Sequence, residues 1–304
     1  MSTAAIEAKG LAKSFGSARG IEAVDLDVAP GQIYGFLGPN GAGKSTTIRI
    51  LMGLYPSFRG TARILGHDCR TDSVAIARLT GYLPGDLALP TALTGRDVLT
   101  RFARIRGMTE TAYRDELVER FTVELDRPIR ALSKGNRQKL GLVAAFMHRP
   151  ELLVLDEPTS GLDPLLQEEF SVLLRETTDS GRTVLLSSHD LAEVQRVVHR
   201  LSIIRDGRIV VAGTVAELRE RAPRTIEVTF DRAVSPEQLT GLEGVRVTAQ
   251  APDRLRLAVA GPIAAALRAV AALDPVDLVA RPADLDELFL SYYRDTPEEA
   301  SHAA

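Results

Sequence analysis

Apolar residues fall at every second position, or in short unbroken runs, over several stretches of the chain, and the spacing predicts strands there. From Ile6 to Val28 short β-type runs alternate with glycine and charged turns, as in Val24-Asp-Leu-Asp-Val28, which predicts an antiparallel edge. Gln32-Ile-Tyr-Gly-Phe-Leu37, Glu151-Leu-Leu-Val-Leu-Asp156 and Thr183-Val-Leu-Leu-Ser187 are apolar enough for strands buried on both faces. Gly60 to Gly66 is a turn-bounded strand and Asp72 to Leu79 a short helix. Between the apolar runs the period changes to that of a helix. Ile48, Leu51, Met52 and Tyr55 recur at helical spacing, and Thr94 and Asp97 are spaced as a capping box ahead of Val98, Leu99, Phe102 and Ile105 on one face. Thr109 starts a second helix carrying Tyr113, Leu117 and Phe121. Asp206-Gly207 between two β runs, Leu201 to Val211, is a hairpin signal.

The reading is an α/β core with an antiparallel β subdomain, a helical insert at about 86–147, and a small α+β domain after it. Past Ala222-Pro223 the strands Thr225–Phe230, Val245–Ala249 and Arg254–Ala260 precede helices at Ile263–Ala272 and Asp284–Tyr293. Leu285, Leu288, Phe289 and Tyr292 share one face of the last helix, and dimerisation or regulation is the role expected of this domain. Domain limits of 1–222 and 223–295 follow, with residues 296–304 polar, small and expected to be disordered.

Composition narrows the classes. With 304 residues, 45% apolar and net charge −3, the chain can bury a real core and has no general basic surface for nucleic acid. Its charge is divided unevenly: from Arg224 onward there are 8 arginines, no lysine and 13 acidic residues. A single cysteine, Cys69, excludes a disulfide framework. Met1 to Lys9 lacks the apolar segment of a signal peptide, and no apolar stretch is long enough to span a bilayer. A membrane role would come through a partner.

The chemistry centres on Gly38-Pro39-Asn40-Gly41-Ala42-Gly43-Lys44-Ser45-Thr46, a match to the phosphate loop G-x-x-x-x-G-K-[ST]. Its glycines let backbone N–H groups curl round a phosphate, Lys44 reaches the β/γ oxygens, and Ser45 would hold Mg²⁺. Strand, loop and helix follow in the order that aims a helix N-terminus at the phosphates. Asp156 and Glu157 end a buried strand, which suits Asp156 to the Mg²⁺ shell and Glu157 to polarising an attacking water, though such a pair alone would read as a solvated loop. Ser133, with Gly135 and Asn136, opens a helix able to receive phosphate oxygens; taken alone it is an ordinary N-cap. His189 leaves its strand at the edge where α/β sheets place ligands, while His148 suits a core role and His67, His199 and His302 the surface. Phe15, beside Gly16, either stacks on a base or belongs to the core.

Over roughly residues 6–215 these pieces together resemble the ATP-binding subunit of ABC transporters. The resemblance makes Phe15 the adenine-stacking residue and Gly38 to Thr46 the Walker A loop. Leu132-Ser-Lys-Gly-Asn136 then stands as the signature sequence, Leu152–Asp156 as Walker B, Glu157 as the catalytic glutamate, Ser160 to Asp163 as the D-loop and His189 as the switch histidine. It implies ATP and Mg²⁺ as ligands, an integral membrane permease as partner, a second copy of the chain closing on two ATP, and a place on the cytoplasmic face of the membrane. LSKGN and the C-terminal extension look like the exporter branch that includes antibiotic-resistance and multidrug pumps, so a drug, antibiotic or lipid-like cargo is expected. One departure stands out. Gly85-Asp86 follows Gly81-Tyr-Leu-Pro84 where the family carries a metal-sensing glutamine, so Asp86 or a water takes that contact, or it is missing. A soluble relative acting in DNA repair or translation is the rival, but only 89 residues separate Lys44 from Ser133, and there is one cassette.

Overall fold

The computed structural model describes residues 4–281 except 17, 222, 223, 236, 238 and 240. The expected helix at Asp284–Tyr293, its Leu285, Leu288, Phe289 and Tyr292 face, the tail at 296–304 and the Ala222-Pro223 boundary lie outside the described residues.

The chain opens with two long antiparallel strands, β1 (Ile6–Phe15) and β2 (Ala18–Val28), and passes into β3 (Ile33–Leu37), all five residues of which are buried. Residues 38–43 lead from β3 to α1 (Lys44–Leu51). Then come β4 (Arg59–Ile64), the two-residue β5 (His67–Asp68), α2 (Ser73–Leu79) and β6 (Thr80–Leu83). A helical stretch follows as α3 (Gly95–Ile105), α4 (Ala112–Arg120) and α5 (Lys134–Phe146). The α/β pattern returns with β7 (Leu152–Asp156), α6 (Pro164–Asp179), β8 (Thr183–Ser188), α7 (Leu191–Val194), β9 (Arg200–Arg205) and β10 (Arg208–Thr214).

Two sheets organise this part. A four-stranded sheet runs β2-β1-β4-β5, and a six-stranded sheet runs β10-β9-β3-β8-β7-β6. In the second, β6, β7, β8, β3 and β9 pair in parallel, so β3, β7 and β8 deliver their C-terminal ends to the same edge. Ile6, Leu11, Val24 and Ile64 of the first sheet and Phe36, Val154 and Leu185 of the second share one apolar core with Ile48 and Leu51 of α1. Burying that face is what holds α1, and hence the loop before it, against the sheet.

The capping box is present: the Thr94 side chain accepts from the Asp97 N–H while the Asp97 carboxylate accepts from the Thr94 N–H. The face assigned to α3 is only half buried, however. Val98 and Leu99 enter the core, whereas Phe102 is 37% and Ile105 78% exposed. The second helix begins at Ala112 rather than Thr109, because the chain first completes a Schellman turn. In that turn the Met108 N–H reaches the Ala103 carbonyl at 2.9 Å and the Gly107 N–H the Arg104 carbonyl at 3.0 Å.

Of the described residues, those up to Ala212 form one compact unit and those from Gly213 another. The second contains α8 (Val215–Arg221), β11 (Arg224–Thr229), β12 (Val245–Ala251), β13 (Arg254–Val259), α9 (Ala264–Ala271) and β14 (Asp277–Arg281). Its antiparallel sheet runs β12-β13-β11-β14 over a core of Ile226, Val228, Leu255, Leu257, Ala266 and Val270. The sequence reading missed β14. All five of its residues are exposed, and Leu278-Val279-Ala280 does not alternate, so no one-sided burial marks it.

His148, two residues past the end of α5, is half-buried at the wall of a surface cleft rather than enclosed in the core as expected. Its Nε2 lies 3.2 Å from the Thr80 carbonyl, which also accepts from Arg106 at 3.1 Å. Burial, helped by the Arg106 charge, pushes its pKa down to about 4. An unfolded histidine titrates near 6.5, so the unfolded chain takes up this proton first as the pH falls. Stability from this group is complete above about pH 6.5 and lost toward pH 4, on the order of 2 kcal/mol after allowance for solvent. Denaturant titrations of His148→Gln between pH 7 and pH 4 should show a flatter acid limb than wild type.

Candidate phosphate site at the sheet edge

The loop 38–46 curls at the end of β3, and its form depends on glycine. Gly43, the N-cap of α1, has φ of 112°, and a Cβ there would lie 2.6 Å from the Ile21 side chain. Beside the loop is a hollow of about 240 Å³ lined by Gly20, Pro39, Asn40, Gly41, Gly43, Lys44, Ser45, Thr46 and Glu157. Lys44 is 6% exposed, its ammonium folded over the loop onto the Gly38 carbonyl at 2.5 Å and the Pro39 carbonyl at 3.2 Å. A buried cation and a helix N-terminus beside one hollow make an anion site.

Two further strand ends complete it. From β7, Asp156 is 2% exposed, and both its carboxylate oxygens accept from hydroxyls: Oδ2 from Ser45 at 2.7 Å and Oδ1 from Ser187 of β8. Glu157, next in the chain, sets one carboxylate oxygen 3.2 Å from the Lys44 ammonium and the other 2.7 Å from His189 Nδ1. A carboxylate accepts, so Nδ1 carries the proton in that bond. Lys44 and Ser45 from the first turn of α1, Asp156 and Glu157 from the end of β7 and His189 after β8 are thus brought together by two hydrogen bonds and one ion pair.

The donor set fits Mg²⁺. A hydroxyl and a buried carboxylate are hard oxygen donors 2.7 Å apart beside a phosphate-shaped loop, and Mg²⁺ takes few protein ligands while keeping its waters. Among the described residues no group of three His, Cys, Asp or Glu forms a fuller metal cage. At the departure, Gly85 rather than Asp86 stands at this carboxylate: a Cβ on Gly85 would lie 3.1 Å from Asp156 Oδ2. Asp86 is exposed.

Phe15 is 40% exposed, which excludes the core role left open for it. Its ring meets Tyr55 edge-on at 5.6 Å, with Lys13 Nζ 5.1 Å from both rings. The same hairpin brings Gly20 to the hollow.

The signature residues stand apart from that hollow. Ser133 caps α5, its hydroxyl accepting from the Asn136 N–H at 3.1 Å, and the Asn136 side chain bonds Glu124. None of residues 132–136 lines the hollow beside Lys44. Asp163 caps α6 by accepting from the Leu166 N–H at 3.0 Å. Two partners of the site escaped the sequence reading. Ser187 reads in the sequence only as a strand end, though a serine near the end of a buried, largely apolar strand is the signal for it. Gln138, 6% exposed, donates to the Glu157 and Pro158 carbonyls, and nothing in its helical context marks it.

Comparison with known proteins agrees with this geometry. The ABC transporter family matches residues 21–160. Daunorubicin resistance ATP-binding protein DrrA3 of Streptomyces coeruleorubidus is 34% identical over 95% of this chain and 96% of its own. Daunorubicin/doxorubicin resistance ATP-binding protein DrrA of Streptomyces peucetius is 37% identical over 71% of this chain and 67% of its own. A solved structure of the ATP binding subunit of an ABC transporter is 32% identical and superposes with a TM-score of 0.66, covering 71% of this chain and 92% of that one. With a phosphate loop, a buried strand-end carboxylate and a relative 34% identical almost end to end, the chain belongs to the ABC transporter ATP-binding proteins.

Proposed function

We propose that this chain binds and hydrolyses ATP with Mg²⁺, as one of two identical subunits that power an exporter for a drug-like or antibiotic compound. The observation that carries the reading is the Glu157 carboxylate held between Lys44 and His189 at the rim of the phosphate hollow. Lys44 and the loop N–H groups would hold the β- and γ-phosphates, and Phe15 would stack on adenine. Ser45 and Asp156 would hold Mg²⁺, which neutralises phosphate charge when bound. Glu157 would orient water on the γ-phosphate, and His189 would fix that carboxylate and reach the phosphate itself. Ser133, Gly135, Asn136 and Asp163 would serve the nucleotide of a second copy, since none of them lines the hollow beside Lys44.

Coupling to a membrane requires a docking surface. A cleft of about 1200 Å³ lies between α2, α3 and α4, with Leu54, Val74, Phe102 and Ile105 exposed in its wall. Solvent exposure of four large apolar side chains is costly unless a partner covers them, and a helix of an integral membrane permease is the partner proposed. No helix among the described residues is long and apolar enough to cross a membrane. Through the permease contact this subunit would sit on the cytoplasmic face. The cargo class comes from the relatives, both named for daunorubicin resistance; neither is named for DNA repair or translation.

The test is ATP-dependent uptake of daunorubicin by inside-out vesicles containing the chain and its permease. Uptake that stops with Glu157→Gln is the expected result, and ATP-independent uptake contradicts the reading. Ile105→Glu should leave ATP affinity unchanged while lowering coupled transport at least tenfold, because it places a charge at the apolar wall of the docking cleft; undiminished transport by this variant would remove the cleft from the account.

A further inference from the structure

Glu157 has a backbone few side chains adopt, with φ of 52°. In that left-handed region a residue with a Cβ is disfavoured by roughly 1–2 kcal/mol, so neighbours must hold it there. They do so from two sides. Its N–H donates to the Ser187 carbonyl at 3.2 Å, and its carbonyl accepts from Gln138 Nε2, also at 3.2 Å. The same amide donates to the Pro158 carbonyl at 2.9 Å, so one buried side chain fixes two successive peptide units. Gln138 lies on α5, the helix capped by Ser133, and the first turn of α5 is pressed onto the same loop. A Cβ on Gly135 would lie 2.5 Å from the Gly161 carbonyl, and Lys134 Nζ donates to Ser160 Oγ at 2.9 Å. The loop at 157–161 therefore rides on α5.

We infer that Gln138 is a positioning residue for ATP hydrolysis: it holds the Glu157 backbone so that the carboxylate stays between Lys44 and His189, and it makes that placement follow α5. The inference rests on the proposed role of Glu157. A satisfied polar side chain that merely fills the core would contribute to stability without acting through one carboxylate, and this difference can be measured.

The measurement is a double-mutant cycle on the purified full chain, combining single-turnover hydrolysis, steady-state kinetics and ATP titration calorimetry. Gln138→Leu keeps the approximate volume and removes the donor. It should lower kcat about tenfold at unchanged KM and ATP affinity, and with Glu157→Gln already present it should cost nothing further. Wild-type kcat in Gln138→Leu, or a loss that multiplies with that of Glu157→Gln, overturns the inference. Should Gln138→Leu fail to bind ATP, Gln138→Met is read by the same cycle; failure of both makes Gln138 a residue of the fold and also overturns it. If Glu157→Gln alone turns over like wild type, the proposed catalytic role fails instead, and the two failures remain distinct.

Discussion

Glu157→Gln is expected to bind ATP as tightly as wild type and to hydrolyse it 10²- to 10⁴-fold more slowly, the range lost with a single general base. The substitution keeps the shape of a side chain that touches both Lys44 and His189, so the hollow and its loop survive. It removes the negative charge 3.2 Å from the Lys44 ammonium, which leaves that cation no less available to a phosphate. The water-orienting carboxylate is gone, and the loss falls on the chemical step alone. Calorimetry for affinity and a single-turnover assay for rate separate the two effects. Wild-type turnover would take Glu157 out of the role.

Lys44→Ala should act on binding instead, lowering ATP affinity roughly 10- to 100-fold, the worth of one charge-assisted hydrogen bond to a buried anion. The lysine is almost wholly buried and is held over the loop by the Gly38 and Pro39 carbonyls, so it is already placed for a phosphate and loses little freedom on binding. Its removal also leaves the Glu157 carboxylate at the hollow without the cation that offsets it, and that charge would oppose ATP. Calorimetry on Lys44→Ala that gives wild-type affinity would count against the phosphate-loop assignment.

Much of this site was legible before any coordinates, for physical reasons. The phosphate loop is a local device: glycines, a lysine and a hydroxyl within nine residues, set between strand and helix patterns, so its geometry is written in contiguous sequence. β7 and β8 announced themselves by apolar runs that only a doubly covered strand needs, and their ends located Asp156 and His189. What could not be read was contact across the chain. Gln138 reaches Glu157 across a sequence separation of 19, and Ser187 reaches Asp156 across one of 31, through a fold no periodicity describes. The exposed half of α3 misled for a related reason. Phe102 and Ile105 obey the helical period of a core face, yet they open onto a cleft, and a pattern of apolar spacing does not distinguish an internal neighbour from an external one. Gly85 was similarly opaque: the sequence directed attention to Asp86 because it carries a carboxylate, whereas the structure sets the glycine beside Asp156.

We propose that each ATP is completed by two copies, with the loop of one facing the α5 N-terminus of the other. The direct test mixes two impaired chains, Lys44→Ala and Ser133→Ala, at an ATP concentration too low to fill the Lys44→Ala site. Each homodimer would have both sites damaged, whereas a mixed dimer joins the intact loop of one chain to the intact α5 N-terminus of the other at one of its two sites. An equal mixture should regain roughly a quarter of wild-type ATPase turnover, since half the dimers are mixed and each has one whole site. A mixture no more active than the average of its two components would contradict the claim.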